Sequence, residues 1–179
     1  MQRQFRALQN RLLAALPPAD FGLVSAHLTP VELERGRLLY DPGDRIDAVY
    51  FPQDGVISLM TLMENGAAIE SATIGREGAL GLMAAVSPRQ SLSRAIVQTP
   101  CSACRITANA LHDAWEKSAR IREMIDNHNE ALFGHAIQSV ACNALHSVEA
   151  RFCRWLLTCH DRISSDTVAL TQEFLADML

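Results

Sequence analysis

Apolar and polar positions change rhythm twice along the chain. Phe5, Leu8, Leu12, Leu13 and Leu16 recur at helical spacing, and Pro17-Pro18 ends that pattern. Residues 18–25 suit a second short helix, with Pro18 at its start and Asp20 in its first turn. From about residue 28 to 106, short apolar runs alternate with breaks rich in Gly, Pro, Asn and Asp. The runs are 31–33, 37–40, 48–51, 56–63, 67–74, 91–99 and 102–106. Many short strands at regular spacing predict an antiparallel sandwich or barrel. Asn65-Gly66 predicts a hairpin with a type I′ turn. Residues 78–86, rich in Gly, Ala, Leu and Met, suit a short buried helix interrupting the strands.

From Thr107 onward the pattern is helical. Thr107 is placed to cap a helix over 108–117, and Ser118 to cap the next. That next helix has no stop before about 146, a span of roughly 43 Å at ~1.5 Å per residue. Ile121, Ile125, His128, Leu132, His135, Ser139, Cys142 and His146 recur along it in steps of three and four. This heptad-like seam predicts pairing with a second copy, and one helical face lying on the β domain would give the same spacing. Ser147, followed by Glu149, marks a restart. At the end, Thr171 is placed as an N-cap and Phe174, Leu175, Met178 and Leu179 share an apolar face. The segment 170–179 reads as the first helix of a helix-turn-helix, with the recognition helix expected to follow. Trp115 and Trp155 read as core anchors where helices meet the roll and the next domain.

Composition narrows the chemistry. The chain has 179 residues, 49% of them apolar and 20% charged, which is ordinary globular composition. Sixteen Lys+Arg stand against 20 Asp+Glu, a net charge of −4 that argues against polyanion binding by the whole surface. No run approaches the ~20 apolar residues of a membrane span, and the first residues are too polar for a secretory signal. The five cysteines are odd in number and widely spread, which favours a reduced, cytoplasmic setting. Cys101-Ser102-Ala103-Cys104 is a lone CxxC on a predicted strand, where positions three apart face opposite sides. No metal site is expected there. His128 and His135 on the seam read first as polar register positions and second as a metal site or proton switch across a two-fold axis. No catalytic constellation appears, and an enzyme is not expected.

The order of elements, short helices, jelly roll with an internal helix, long helix and helix-turn-helix, resembles the Crp/Fnr family of bacterial transcription regulators. The resemblance is carried by Tyr40-Asp41-Pro42-Gly43-Asp44, by the run from Val49 to Ile57, by Gly75-Arg76-Glu77-Gly78-Ala79-Leu80-Gly81-Leu82, and by the terminal segment. It implies an α+β fold: a cyclic-nucleotide-binding-like double-stranded β-helix (jelly roll) flanked by helices, then a dimerisation helix and a winged helix. The expected division is an effector-sensing roll at 1–117, a dimerisation helix at 118–146 and the truncated start of the DNA-binding domain at 147–179. Expected interface residues are Ile121, Ile125, His128, Leu132, His135, Ser139 and Cys142. DNA would be bound through a following segment, with Thr171 and Gln172 near phosphates and room for contact with RNA polymerase. The alternative is a stand-alone ligand-sensing or protein-interaction module.

In cyclic-nucleotide-binding members, a Gly-Glu pair opens a short helix and an Arg-Ser pair follows on the next strand. Helix N-terminal amides and the Arg hold the phosphate, and the Glu accepts from the ribose hydroxyl. Here the resemblance places the candidate ligand site on Glu77, Gly78, Ala79, Leu80, Gly81, Ser93 and Arg94. The family Glu falls on Ala79 and the Arg-Ser pair on Ser93-Arg94. A one-residue slip would instead make Arg94 the phosphate ligand and turn Glu77 into the pocket. No cofactor is expected. An effector other than cyclic AMP, or none, fits these replacements. The iron–sulfur cluster of some members does not carry over, because no cysteine precedes Cys101.

Overall fold

The computed structural model describes residues 9–87 and 89–168. The first helices are α1 (Arg11–Ala15) and α2 (Pro18–Ser25). Seven strands follow: β1 (Thr29–Leu33), β2 (Leu38–Tyr40), β3 (Ala48–Asp54), β4 (Ile57–Leu62), β5 (Ala68–Ile74), β6 (Arg94–Val97) and β7 (Cys101–Thr107). They form two antiparallel sheets, ordered β1-β7-β3 and β2-β6-β4-β5, that face each other as a jelly roll. Helices α3 (Ala108–Lys117), α4 (Ala119–Leu145) and α5 (Val148–His160) complete the described chain.

Strand β3 shows why its residues are nearly all apolar. Ala48 and Tyr50 point into the roll, while Val49 and Phe51 point outward into a second core built with the helices. A strand covered on both faces has no polar side to present. Strand β7 does the same. Cys101 and Ala103 face the roll interior, and Cys104 and Ile106 face the helices. The two thiols of the CxxC therefore lie in different cores, as strand geometry requires. All five cysteines are free. Burial pushes the Cys101 and Cys159 thiols up to about 12, so both stay protonated and behave as apolar side chains.

The expected caps are in place. Thr107, Ser118 and Ser147 each accept from the backbone N–H three residues on. The β4–β5 hairpin differs from expectation. Only glycines have positive φ among the described residues, so Asn65 cannot sit in a type I′ turn. Gly66 N donates to Met63 O, and Gly66 takes φ +86, which makes a type I turn closed by a glycine bulge. The interrupting helix is shorter than expected, a single 3₁₀ turn over Leu82–Ala85.

The predicted seam on α4 requires a correction. Ile121 and Ile125 are fully buried in the core shared by α1, α2, α3 and the roll, and Leu132 packs against the roll interior cluster. Ser139 and Cys142 are also buried within the chain. Most of this face is therefore taken by the protein's own fold, with His128, Leu132 and His135 half-buried along it. A different face stays open, carrying Phe133, Ile137 and Val140, with Leu145 at the helix end; Val140 is 69% exposed.

Candidate functional site

The segment after β5 carries most of the expected ligand residues, and its backbone is already committed. Gly78 N donates to Gly75 O at 3.0 Å, and Leu80 N donates to Tyr50 O at 2.9 Å. Ala79 N donates to His128 Nε2 of α4 at 3.1 Å. These are amides that a phosphate cradle would use. Gly78 and Gly81 allow close approach. A Cβ at Gly78 would meet His128 Nε2 at 2.7 Å, and Gly81, at φ +87, lies against the Ala48 carbonyl. Beside Gly81, the Tyr40 hydroxyl donates to the Ala48 carbonyl, and Tyr40 stands edge-on to Tyr50 with ring centroids 6.2 Å apart. Burial raises the Tyr40 pKa well above its ordinary value, so the hydroxyl keeps its proton.

Ser93 and Arg94 do not join these residues. Arg94 is clamped by Asp41, Nε to Oδ1 and Nη2 to Oδ2, both at 2.9 Å. That hydrogen-bonded pair holds the Asp41 carboxyl below the usual range. The Ser93 carbonyl accepts from Ser91 Oγ. The slipped reading, with Arg94 as phosphate ligand beside Glu77, is therefore not what the fold presents: each charge has a different protein partner.

Glu77 instead meets Arg162, just past the end of α5. Arg162 Nε lies 2.8 Å and Nη2 2.7 Å from Glu77 Oε1, and Arg162 Nη1 donates to Thr73 Oγ1 at 3.0 Å. Burial pushes the Glu77 carboxyl up, but the Arg162 hydrogen bond and charge outweigh it and hold the group ionised. Gly75 is needed for this contact, since a Cβ there would lie 2.3 Å from the Arg162 side chain.

A second polar cluster lies near the same helix. Glu70 of β5 is raised to about 7, chiefly by burial, with Ser58, Trp155, Arg154 and Arg162 opposing. Ser58 Oγ is 2.6 Å from Glu70 Oε2 and 2.9 Å from Gln98 Oε1. One hydroxyl hydrogen cannot serve two acceptors. Two arrangements satisfy all three groups: a protonated Glu70 donating to Ser58, which fits its raised pKa, or a turned Gln98 amide whose otherwise unpartnered Nε2 donates to Ser58. Trp155 and Cys159 of α5 bury themselves against Val56 of the roll, so Trp155 is an anchor as expected.

His128 and His135 both face inward. Burial lowers the His128 pKa, with Asn129 and Glu77 opposing, and its Nε2 accepts from Ala79. Burial also lowers that of His135, aided by Arg162 and Arg154 and opposed by Glu77. A cavity of about 530 Å³ opens beside His128, walled by Leu12, Leu16 and Met124. No cluster of three or more metal-ligating side chains occurs among the described residues. The expectations for Thr171, Gln172 and the apolar face from Phe174 to Leu179 lie outside the described residues.

Residues 30–118 match the family model described as the cyclic nucleotide-binding domain. The roll has the cyclic nucleotide-binding fold. No curated protein sequence matches the chain at a significant level. Among solved structures sharing this fold is the Xanthomonas campestris regulator CLP, described as c-di-GMP responsive. It has 16% identity and a TM-score of 0.66, over 90% of this chain and 84% of that one. FixK2 from Bradyrhizobium japonicum gives 14% identity and a TM-score of 0.70, over 84% and 76%. A protein from Eubacterium rectale assigned to the Crp/Fnr family of transcriptional regulators gives 15% and 0.72, over 94% and 79%. At these identities the likeness is one of fold, and it extends beyond the cyclic nucleotide-binding roll into the helices. No helix among the described residues is long and apolar enough to cross a membrane.

Sequence reading missed four residues that build this region. Asn10 is fully buried, caps α1, and its Nδ2 donates to both Pro52 O and Gly78 O. Glu70, Thr73 and Arg162 were unmarked because their partners are far away in sequence. The one available signal was Glu70 itself, an acidic residue in an otherwise strand-like run.

Proposed function

We propose that the protein is an effector-responsive, homodimeric DNA-binding transcription regulator of Crp/Fnr type. The observation that carries this is α4. One face of this 27-residue helix is buried in its own chain, while Phe133, Ile137, Val140 and Ala144 form a second seam in steps of four, three and four. The helix then breaks at His146 and restarts at Ser147, where a hinge to a DNA-binding domain would lie. The dimer contact belongs to the outer seam, not to Ile121, Ile125 and the other inward residues.

The roll would not hold cyclic AMP in the family manner. Ala79 offers no ribose acceptor, and Arg94 is occupied by Asp41. His128 links the ligand-side loop directly to α4, so a ligand that moves this loop biases the helix. A stand-alone sensing module is the second reading. It is favoured by one observation: Trp155, Cys159 and Arg162 fasten α5 and its end to the roll instead of leaving them free.

Sedimentation and a mobility shift test the reading. Ile137→Glu with Val140→Glu should give monomers that remain folded, because each charge is tolerated in water but not in an apolar seam. Ile125→Ala should instead destabilise the fold by about 2–4 kcal/mol. Protein expressed from the intact gene should bind its own upstream DNA as the wild type and lose that binding in the double variant. An unaltered dimer, or no specific DNA binding by the wild type, would sink the proposal.

A further inference from the structure

One sizeable opening lies outside the roll. A cavity of about 820 Å³ lies where the loop after β5 meets α1, α4 and the end of α5. Arginines reach it from three separate places, Arg11 from α1, Arg76 from the loop and Arg162 just past the end of α5, and the imidazoles of His135 from α4 and His160 from α5 line it as well. Three carboxylates also line it. Glu77 is neutralised by Arg162, and Asp166 lies 3.1 Å from His160 Nε2. Asp161 is exposed, and its backbone carbonyl accepts from Arg76 Nη2 at 2.7 Å.

Among the described residues neither Arg11 nor Arg76 forms an ion pair with a carboxylate. The Arg76 Nε is buried and has no hydrogen-bond acceptor in the protein. A buried charged donor without a partner is costly and calls for one. The two residues are held together, since Arg11 N donates to the Arg76 carbonyl at 2.7 Å. Burial, reinforced by Arg162 and Arg154 and opposed by Glu77, lowers the His135 pKa beside them.

We propose that this cavity binds a small molecule bearing a multivalent oxyanion, a phosphorylated or polycarboxylated metabolite, held by Arg11 and Arg76. Guanidinium forks match such oxyanions in geometry as well as charge. The cavity volume falls within the range of small-molecule sites. An occupant would touch the loop carrying Glu77 and the end of α5 together, so binding would fasten α5 to the roll. As an effector site this rests on the regulator reading, whereas as a binding site it does not.

The test is calorimetry on the full chain with pyrophosphate and, separately, citrate, against chloride at matched ionic strength. One of the two should bind saturably, and the better one identifies the anion as phosphate or carboxylate. Arg76→Gln should weaken it roughly tenfold or more, the cost of one charge-assisted hydrogen bond. Arg11 is exposed, so Arg11→Gln should weaken binding without altering the thermal unfolding of the free protein. Neither anion binding better than chloride, or both variants binding like the wild type, overturns the site. DNA binding separates the two ideas. Protein that binds the anion but no DNA keeps the site and loses the regulator; protein that binds DNA but neither anion does the reverse.

Discussion

Arg162→Met should loosen the end of α5 from the roll by an amount that can be worked out. The change removes both contacts to Glu77 and the bonds to Thr73 Oγ1 and Thr158 O, and Met keeps an aliphatic stem over Gly75. Charge-assisted hydrogen bonds are worth ~1.5–3 kcal/mol each when lost from a buried setting. Water recovers part of that here, because the Glu77 side chain is 38% exposed and keeps the Gly75 N–H as a donor. The net expectation is a loss of about 2 kcal/mol, or about 4–8 °C in Tm for a chain of this size. Most of the cost comes from a carboxylate left without its cation. Adding Glu77→Gln should therefore restore about 1 kcal/mol or more, giving clear coupling in a double-mutant cycle. Urea unfolding followed by tryptophan fluorescence reads the effect, since Trp155 lies on α5. A loss below about 0.5 kcal/mol, with simple additivity in the double variant, would refute the claim that this ion pair latches α5 to the roll.

Two further outcomes concern pH. The folded Glu70 carboxyl titrates at about 7, above the 4.5 of the free group, so the folded state holds an extra proton between those values. Its contribution is full at low pH and lost as pH rises through about 7. Glu70→Gln should then be more stable than the wild type at pH 8, by up to about 3 kcal/mol, and the gap should close toward pH 4.5; an equal gap at both ends would exclude a protonated Glu70. His128 works in the opposite sense. Its folded pKa is depressed by burial, so its stability is present above the unfolded value of about 6.5 and lost as pH falls below it. In a Glu70→Gln background, unfolding free energy should drop between pH 7.5 and 5.5, and His128→Gln, which keeps an acceptor for Ala79 N–H, should reduce that drop; the same slope with and without His128 would argue against it.

What sequence alone determined is what short-range rules control. The seven strands, the Thr107, Ser118 and Ser147 caps and the long helix all depend on the residue itself and its neighbours within a turn. The opposed thiols of Cys101 and Cys104 follow from strand alternation alone. Tertiary structure decided the rest. Both faces of α4 carry apolar residues in steps of three and four, Ile121, Ile125 and Leu132 on one, Phe133, Ile137 and Val140 on the other. Spacing cannot say which face meets its own roll, because a helix on a core and a helix in a coiled coil share one period. The Asn65-Gly66 turn needed a glycine at positive φ in either form, and only the closing bond from Gly66 to Met63 shows which was used. Arg94 and Glu77 were legible as charged positions, but their partners were not. Asp41 is 53 residues from Arg94, and Arg162 is 85 from Glu77. Pairings over such distances are made only when the roll closes and α5 folds back onto it.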